Sequence, residues 1–146
     1  MLAHELKDGP RQNSGLLRQA LAEVAKGARS VAEAELKALL KRAHLPDPLF
    51  NACLFTGSIF IAKPDCWWPD AGVAVEVDSR EWHLSPDGWE RTMSRRARMS
   101  SHGIIVLHCT PRQIRSEPKL VADTIKSALQ AGRDRPALPI RAVPTL

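Results

Sequence analysis

The chain has 146 residues, of which 44% are hydrophobic and 25% are charged, the size and composition of one globular domain. Its longest apolar runs are far shorter than the roughly 20 residues that span a bilayer, and no secretory signal is visible, so we expect a soluble cytoplasmic protein. The formal charge of +5 favours nucleic acid as a partner. Three widely spaced cysteines form no Cys-x-x-Cys pair, which argues against a structural zinc site or a disulfide framework.

The N-terminal third is predicted to be helical after a polar lead. Apolar residues recur at helical spacing from Ser14 onward, and Gly27 is a typical residue for ending that helix. Ser30 and Glu33 have the Ser-x-x-Glu spacing of a capping box, which predicts the start of a second helix that ends near His44.

Strands are predicted next along the chain. Aromatic and aliphatic residues on both sides of a Thr56–Ser58 turn predict a hairpin over Leu49–Phe60, whose second strand continues toward Trp67. A turn at Pro69–Gly72 then leads into a third strand, Val73–Asp78.

The C-terminal half alternates helices with one strand. Ser85 is the expected N-cap of a basic helix over Pro86–Ser101, and Ile104–Cys109 is an apolar run suited to a buried strand. Pro111 begins a short helical turn, and a final helix ends at Gly132. The chain thus divides into an N-terminal lead and helix (1–29), a central α/β domain (30–131) and a proline-rich tail expected to be disordered (132–146).

The third strand carries the residues that point to chemistry. Because alternate side chains of a strand share a face, Glu76 and Asp78 stand side by side, about 7 Å apart along the backbone. A divalent cation would relieve the repulsion between them, with Asp65 as a further oxygen ligand and His83 as a general base. The alternative is that these are ordinary surface residues, with Asp65 serving a turn.

Several motifs follow one another in a recognisable order: Pro64-Asp65, Val75-Glu76-Val77-Asp78, Trp82-His83, the basic helix, and the apolar run from Gly103 to Leu107. This order resembles the very-short-patch-repair-like (Vsr-like) endonuclease group of the PD-(D/E)XK nuclease superfamily, from about Ser30 to Leu129. The resemblance implies a restriction-endonuclease-like core, a mixed four-stranded sheet flanked by helices. It also implies Mg²⁺-dependent hydrolysis of DNA phosphodiester bonds, with Mn²⁺ as a possible substitute.

Carried onto this chain, the resemblance implies a set of site residues. Asp65, Glu76 and Asp78 would bind the metal, His83 would assist proton transfer, and Glu33 would face the site from its helix. The chain departs from the group's pattern where Asp78 replaces the usual lysine and where Thr92 follows Arg91 in place of an acidic residue.

The basic helix suggests how DNA would be held. Arg91, Arg95 and Arg98 recur at spacings of three and four, so they form a cationic stripe that could contact phosphates or simply face solvent. The first hypothesis is an endonuclease or nickase. The alternative is a non-catalytic nucleic-acid-binding or partner-binding module, such as the C-terminal domain of AbiEi-like antitoxins. No motif specifies an organic cofactor or an oligomeric state.

Overall fold

The computed structural model describes residues 11–78 and 86–145, and these begin with one long helix, α1, over Arg11–Arg42. Gly27 does not adopt the left-handed backbone that a glycine C-cap needs. Ser30 lies inside the helix, where its Oγ donates to the carbonyl of Lys26 at 3.0 Å. The predicted break and capping box are therefore wrong. An interior glycine costs a helix only about 1 kcal/mol, which the surrounding good helix formers outweigh.

Four strands form the main sheet, and in order across it they are Leu49–Phe50 (β1), Cys66–Trp68 (β4), Val73–Val77 (β5) and Ile105–Cys109 (β6). The first three run antiparallel, whereas β5 and β6 are parallel. Helices flank this mixed sheet, so the prediction of an α/β fold with a mixed four-stranded sheet is confirmed at that level.

A second, smaller sheet contains the predicted hairpin. Strands β2 (Cys53–Thr56) and β3 (Ile59–Ala62) pair antiparallel around the predicted turn. The second strand does not continue toward Trp67, as the sequence predicted, because Pro64 has no N–H to extend the ladder. The chain instead leaves the small sheet at Ala62 and enters the main sheet as β4.

The predicted disorder of the tail, residues 132–146, is wrong for part of that range. Strand β7 (Arg141–Val143) pairs antiparallel with β2, and the Arg141 guanidinium lies 4.9 Å from the centre of the Phe55 ring. The prolines of the tail lie outside the three paired residues, so they do not interrupt the ladder. The free edge of β2 supplies hydrogen-bond partners that composition alone could not reveal.

The remaining helices follow the predictions closely. They are α2 over Pro86–Ser101, α3 over Pro111–Ser116 and α4 over Pro118–Arg133, while the expected N-cap of α2 lies outside the described residues. Gly132, the predicted end, lies inside α4, and its missing Cβ, which would come within 2.0 Å of the Ala71 carbonyl oxygen, allows the helix to approach that segment closely. Within the described ranges, no helix combines the length and apolar character needed to cross a membrane.

The main sheet is buried on both faces. One face packs against α1, α3 and α4 through a cluster that includes Leu36, Trp68, Val73, Val75, Ile114, Ile125 and Leu129. The other face packs against α2 and the small sheet through Leu54, Ile61, Trp67, Ala74, Met99 and Ile104. By strand alternation Glu76 shares the second face with Ala74, so its carboxylate points into the protein on the side of α2.

Candidate active site

The three predicted carboxylates line one cavity of about 260 Å³ at the carboxyl end of β5. We call it the acidic cavity. Asp65 immediately precedes β4, Glu76 lies within β5, and Asp78 follows β5 directly. Its lining also includes Arg29, Asn51, Lys63, Val77, Thr92, Arg95 and His108. The folded chain therefore brings together residues from six separate segments.

Asp65 is held in place by the neighbouring strand. Its Oδ2 accepts a hydrogen bond of 2.7 Å from the backbone N–H of Val77, so the carboxylate bridges the start of β4 and the end of β5. Burial raises the pKa of Asp65, and the hydrogen bond from Val77 opposes that rise. The alternative prediction, that Asp65 only serves a turn, does not account for this contact between strands.

Glu76 is the one charged residue in the buried interior of the described chain, with 4% of its surface exposed. Its Oε2 accepts a charge-assisted hydrogen bond from the Arg95 guanidinium of α2. Its Oε1 is buried and has no hydrogen-bond partner within the described residues. Burial raises the pKa of Glu76 to about 7; the attraction of Arg95 opposes this rise and the charge of Asp65 adds to it.

Glu33 contacts the acidic cavity through a neighbour. Its Oε1 accepts a hydrogen bond of 3.2 Å from Nδ2 of Asn51 and lies 3.5 Å from the ammonium of Lys37. Asn51 has a φ of 54°, a left-handed conformation that asparagine tolerates better than most residues. Asn51 thereby links α1 to the cavity wall, and Glu33 supports that link.

Four lining residues were not found from the sequence. Arg29 and Lys63 add positive charge to the cavity, Asn51 adds an amide, and His108 adds an imidazole. His108 is paired in register with Glu76 on the adjacent parallel strand, so both side chains project from the same face. A histidine within the apolar run of β6 was the available signal. Lys63 lies close to Asp65 in the sequence, whereas Arg29 and Asn51 come from segments that approach the site only in the folded chain.

A larger cavity of about 860 Å³ lies beside the acidic one and is lined mainly by α2. We call it the basic cavity. It contains the three predicted arginines, Arg91, Arg95 and Arg98, together with Arg29 from α1. Asp87 and Glu90 also line it. Arg29 and Arg95 border both cavities, so the cationic surface is continuous with the acidic site.

The acidic cavity contains the carboxylates that the metal prediction requires, but the described residues do not form a preorganised cluster of metal ligands. Across residues 11–78 and 86–145, no three His, Cys, Asp or Glu side chains form a group placed to hold one ion. His83, the predicted proton acceptor, lies outside those residues. Thr92, at the position where the nuclease resemblance predicts an acidic residue, lines the cavity and donates from Oγ1 to the Gly88 carbonyl at 3.0 Å.

Comparisons with known proteins identify relatives of the chain, but none of these relatives has a described activity. No family model matches the chain. Two uncharacterized proteins of Mycobacterium tuberculosis, MT2308 and Rv2248, are each 27% identical to it over 106 residues. The match covers 73% of this chain but 39% of each relative, so the chain spans about two fifths of the length of these curated proteins. No solved structure matches.

Proposed function

We propose that this domain is a divalent-metal-dependent DNA endonuclease or nickase with a restriction-endonuclease-like core. The observation that supports it most is the placement of Asp65, Glu76 and Asp78 around one cavity that adjoins a basic cavity. Carboxylates are suited to a hard cation, and arginines are suited to a phosphate backbone. Such an enzyme would act in the cytoplasm, where bacterial DNA lies.

The donor set fits Mg²⁺ in its chemistry. Mg²⁺ keeps several waters and commonly takes only one or two carboxylates together with a substrate phosphate. Asp65 and Glu76 would supply those two carboxylates, and the unpartnered Oε1 of Glu76 is a buried acceptor that a cation would satisfy. The lack of a three-residue cluster in the described residues is thus compatible with Mg²⁺ that completes its shell with water and DNA.

The chain's own residues divide the remaining tasks. A bound divalent ion would supply the positive charge that acidifies water and offsets charge on the phosphate. Asp78 and His108 border the cavity and would accept or hold a proton during hydrolysis. Arg29 and Lys63, also at the cavity, would hold the negatively charged phosphate in position. Arg91 and the other arginines of α2 would position the DNA backbone without reading its sequence.

Plasmid cleavage with Mg²⁺ or Mn²⁺ tests this proposal, and Asp65→Asn is the sharpest inactive variant. Asp65→Ala would leave the buried N–H of Val77 without its acceptor, which costs about 1–3 kcal/mol of stability. A loss of activity in that variant could then result from unfolding. Asparagine keeps an oxygen for that N–H but removes the charge. We expect metal-dependent cleavage by the wild type and a loss of about 100-fold or more in the variant, since even supporting contacts to a metal ligand are worth 10–100-fold.

A melting temperature of the variant in EDTA that is no lower than that of the wild type would confirm that the variant is folded. Absence of cleavage of supercoiled plasmid and of single-stranded DNA by the wild type, in either metal, would refute the proposal. Cleavage that survives in Asp65→Asn would instead point to a contaminating nuclease.

A second candidate is a nucleic-acid-binding module without hydrolytic activity, as in the C-terminal domains of AbiEi-like antitoxins. The contact that favours it is the ion pair between Arg95 and Glu76, because an arginine already neutralises the carboxylate that a metal would need. DNA binding in EDTA that weakens steeply with salt, with no cleavage in any metal, would support this candidate.

A further inference from the structure

Arg95 stands at the boundary between the two cavities. It borders both of them, and its guanidinium contacts the carboxylate of Glu76. The two partners differ sharply in accessibility, because 40% of the Arg95 side chain is exposed but only 5% of the Glu76 side chain. The arginine can therefore reorient into solvent or toward another anion, whereas the carboxylate cannot leave the interior.

Glu76 needs a nearby cation whenever its buried carboxylate is ionised. Removing one partner of a buried ion pair leaves an uncompensated charge and is strongly unfavourable. A divalent ion placed at Glu76 would in turn repel the guanidinium of Arg95 at short range. Arg95 and a divalent ion therefore compete for the same carboxylate, and each can replace the other.

The basic cavity determines where Arg95 can go. Without nucleic acid, a move away from Glu76 brings Arg95 toward the charges of Arg29, Arg91 and Arg98, which oppose it, although Asp87 and Glu90 at the same cavity offset part of that repulsion. With a phosphate in the cavity, the same move gives Arg95 a strong charge-assisted hydrogen bond. A bound phosphate thus attracts Arg95 away from Glu76 and into the basic cavity.

We propose that Arg95 is a substrate-controlled switch, which neutralises Glu76 in the absence of nucleic acid and transfers to a backbone phosphate when DNA occupies the basic cavity. Transfer exposes Glu76 to a divalent cation, so the metal binds tightly only when DNA is present. This regulation rests on the proposed function, since it takes the acidic cavity as the cation site. Linkage is reciprocal, so the metal must strengthen DNA binding by the same factor.

The experiment measures Mn²⁺ binding by calorimetry, with and without a DNA duplex of about one helical turn. Heat from Mn²⁺ and duplex alone is subtracted, and Asp65→Asn identifies binding elsewhere on the protein. A gel after each titration verifies that the duplex is intact. We expect the duplex to tighten Mn²⁺ binding to the wild type by about tenfold or more, within the usual range of coupling between sites.

The decisive comparison is between Arg95→Gln and Arg91→Gln in the absence of DNA. Both variants remove one arginine from α2 and the basic cavity, but Arg91 does not border the acidic cavity. Glutamine at position 95 can still donate a hydrogen bond to Glu76, which favours a folded protein. We expect Arg95→Gln to bind Mn²⁺ about tenfold or more tightly than the wild type, and Arg91→Gln to match the wild type.

Equal Mn²⁺ affinities of the wild type and Arg95→Gln without DNA would overturn the switch, and so would a wild type whose affinity the duplex leaves unchanged. The effect of the duplex on the wild type is measured without any variant, so the proposal can be refuted even if Arg95→Gln does not fold. If plasmid cleavage succeeds while these comparisons fail, the nuclease stands and the switch does not. If the comparisons give the expected results but no DNA is cleaved, the switch operates in a nucleic-acid-binding module that has no hydrolytic activity.

Discussion

Neutralising Glu76 provides the most quantitative test of the site, through the substitution Glu76→Gln. The side chain is almost fully buried, so its charge is costly to the folded state, and glutamine keeps its shape and an acceptor for Arg95. Arg95 itself is 40% exposed and remains hydrated after the change. We therefore expect the variant to be more stable than the wild type wherever Glu76 is ionised.

The size of the effect follows from the pKa. A carboxyl whose pKa is higher in the folded chain binds its proton more tightly there, so stability falls as the pH rises between the unfolded and folded values. For Glu76 burial raises the pKa from 4.5 to about 7. Each pH unit of this difference corresponds to about 1.4 kcal/mol. The ionised carboxylate therefore destabilises the fold by about 3 kcal/mol above pH 7, and by less than about 1 kcal/mol near pH 5.

Urea denaturation in EDTA, at several pH values between about 5 and 8, measures this directly. Wild-type unfolding free energy should fall by about 2–3 kcal/mol across the range relative to that of Glu76→Gln. Glu35→Gln is the matched control, because Glu35 forms a more exposed ion pair with Arg115, and such pairs contribute about 0–1 kcal/mol. If wild type and Glu76→Gln run parallel from pH 5 to 8, Glu76 is not desolvated as described.

Other predictions concern the frame that positions the site, and all are checked by urea denaturation. Gly27→Ala should stabilise the protein by about 0.5–1 kcal/mol, since its Cβ meets nothing within 4 Å in α1. Gly132→Ala should destabilise it by about 3 kcal/mol, since its Cβ would collide with the Ala71 carbonyl; equal effects of the two substitutions would contradict the close approach of α4. Trp68→Phe removes the hydrogen bond of 2.9 Å from the indole to the Pro46 carbonyl and should cost about 1–2 kcal/mol. An unchanged stability would mean that water replaces this bond without loss.

Local patterns were sufficient where a residue's environment depends on its near neighbours in the chain. The alternation of Val73, Val75 and Val77 with Ala74 and Glu76 predicted β5 and the shared face correctly. The Pro86–Ser101 helix and the hairpin were likewise predictable from proline position and turn chemistry. Local patterns failed at Gly27, where a signal that usually ends a helix was outweighed by the helix formers on either side.

Nonlocal pairing accounts for the remaining errors. Strand β7 forms only because the edge of β2 is free to pair with it, and a composition rich in proline cannot show that edge. Arg29 and Asn51 reach the acidic cavity from segments far apart in the chain, and no local pattern in the sequence shows that they meet there.

The sequence by itself determined the α/β class, the carboxylates at positions 65, 76 and 78, and the arginine stripe of α2, because residue type and spacing suffice for each. The tertiary structure decided which of these groups meet. It places Arg95 on Glu76, ties Asp65 to the N–H of Val77, and joins the acidic and basic cavities. Charge and burial at a site depend on contacts between distant segments, and only folding creates those contacts.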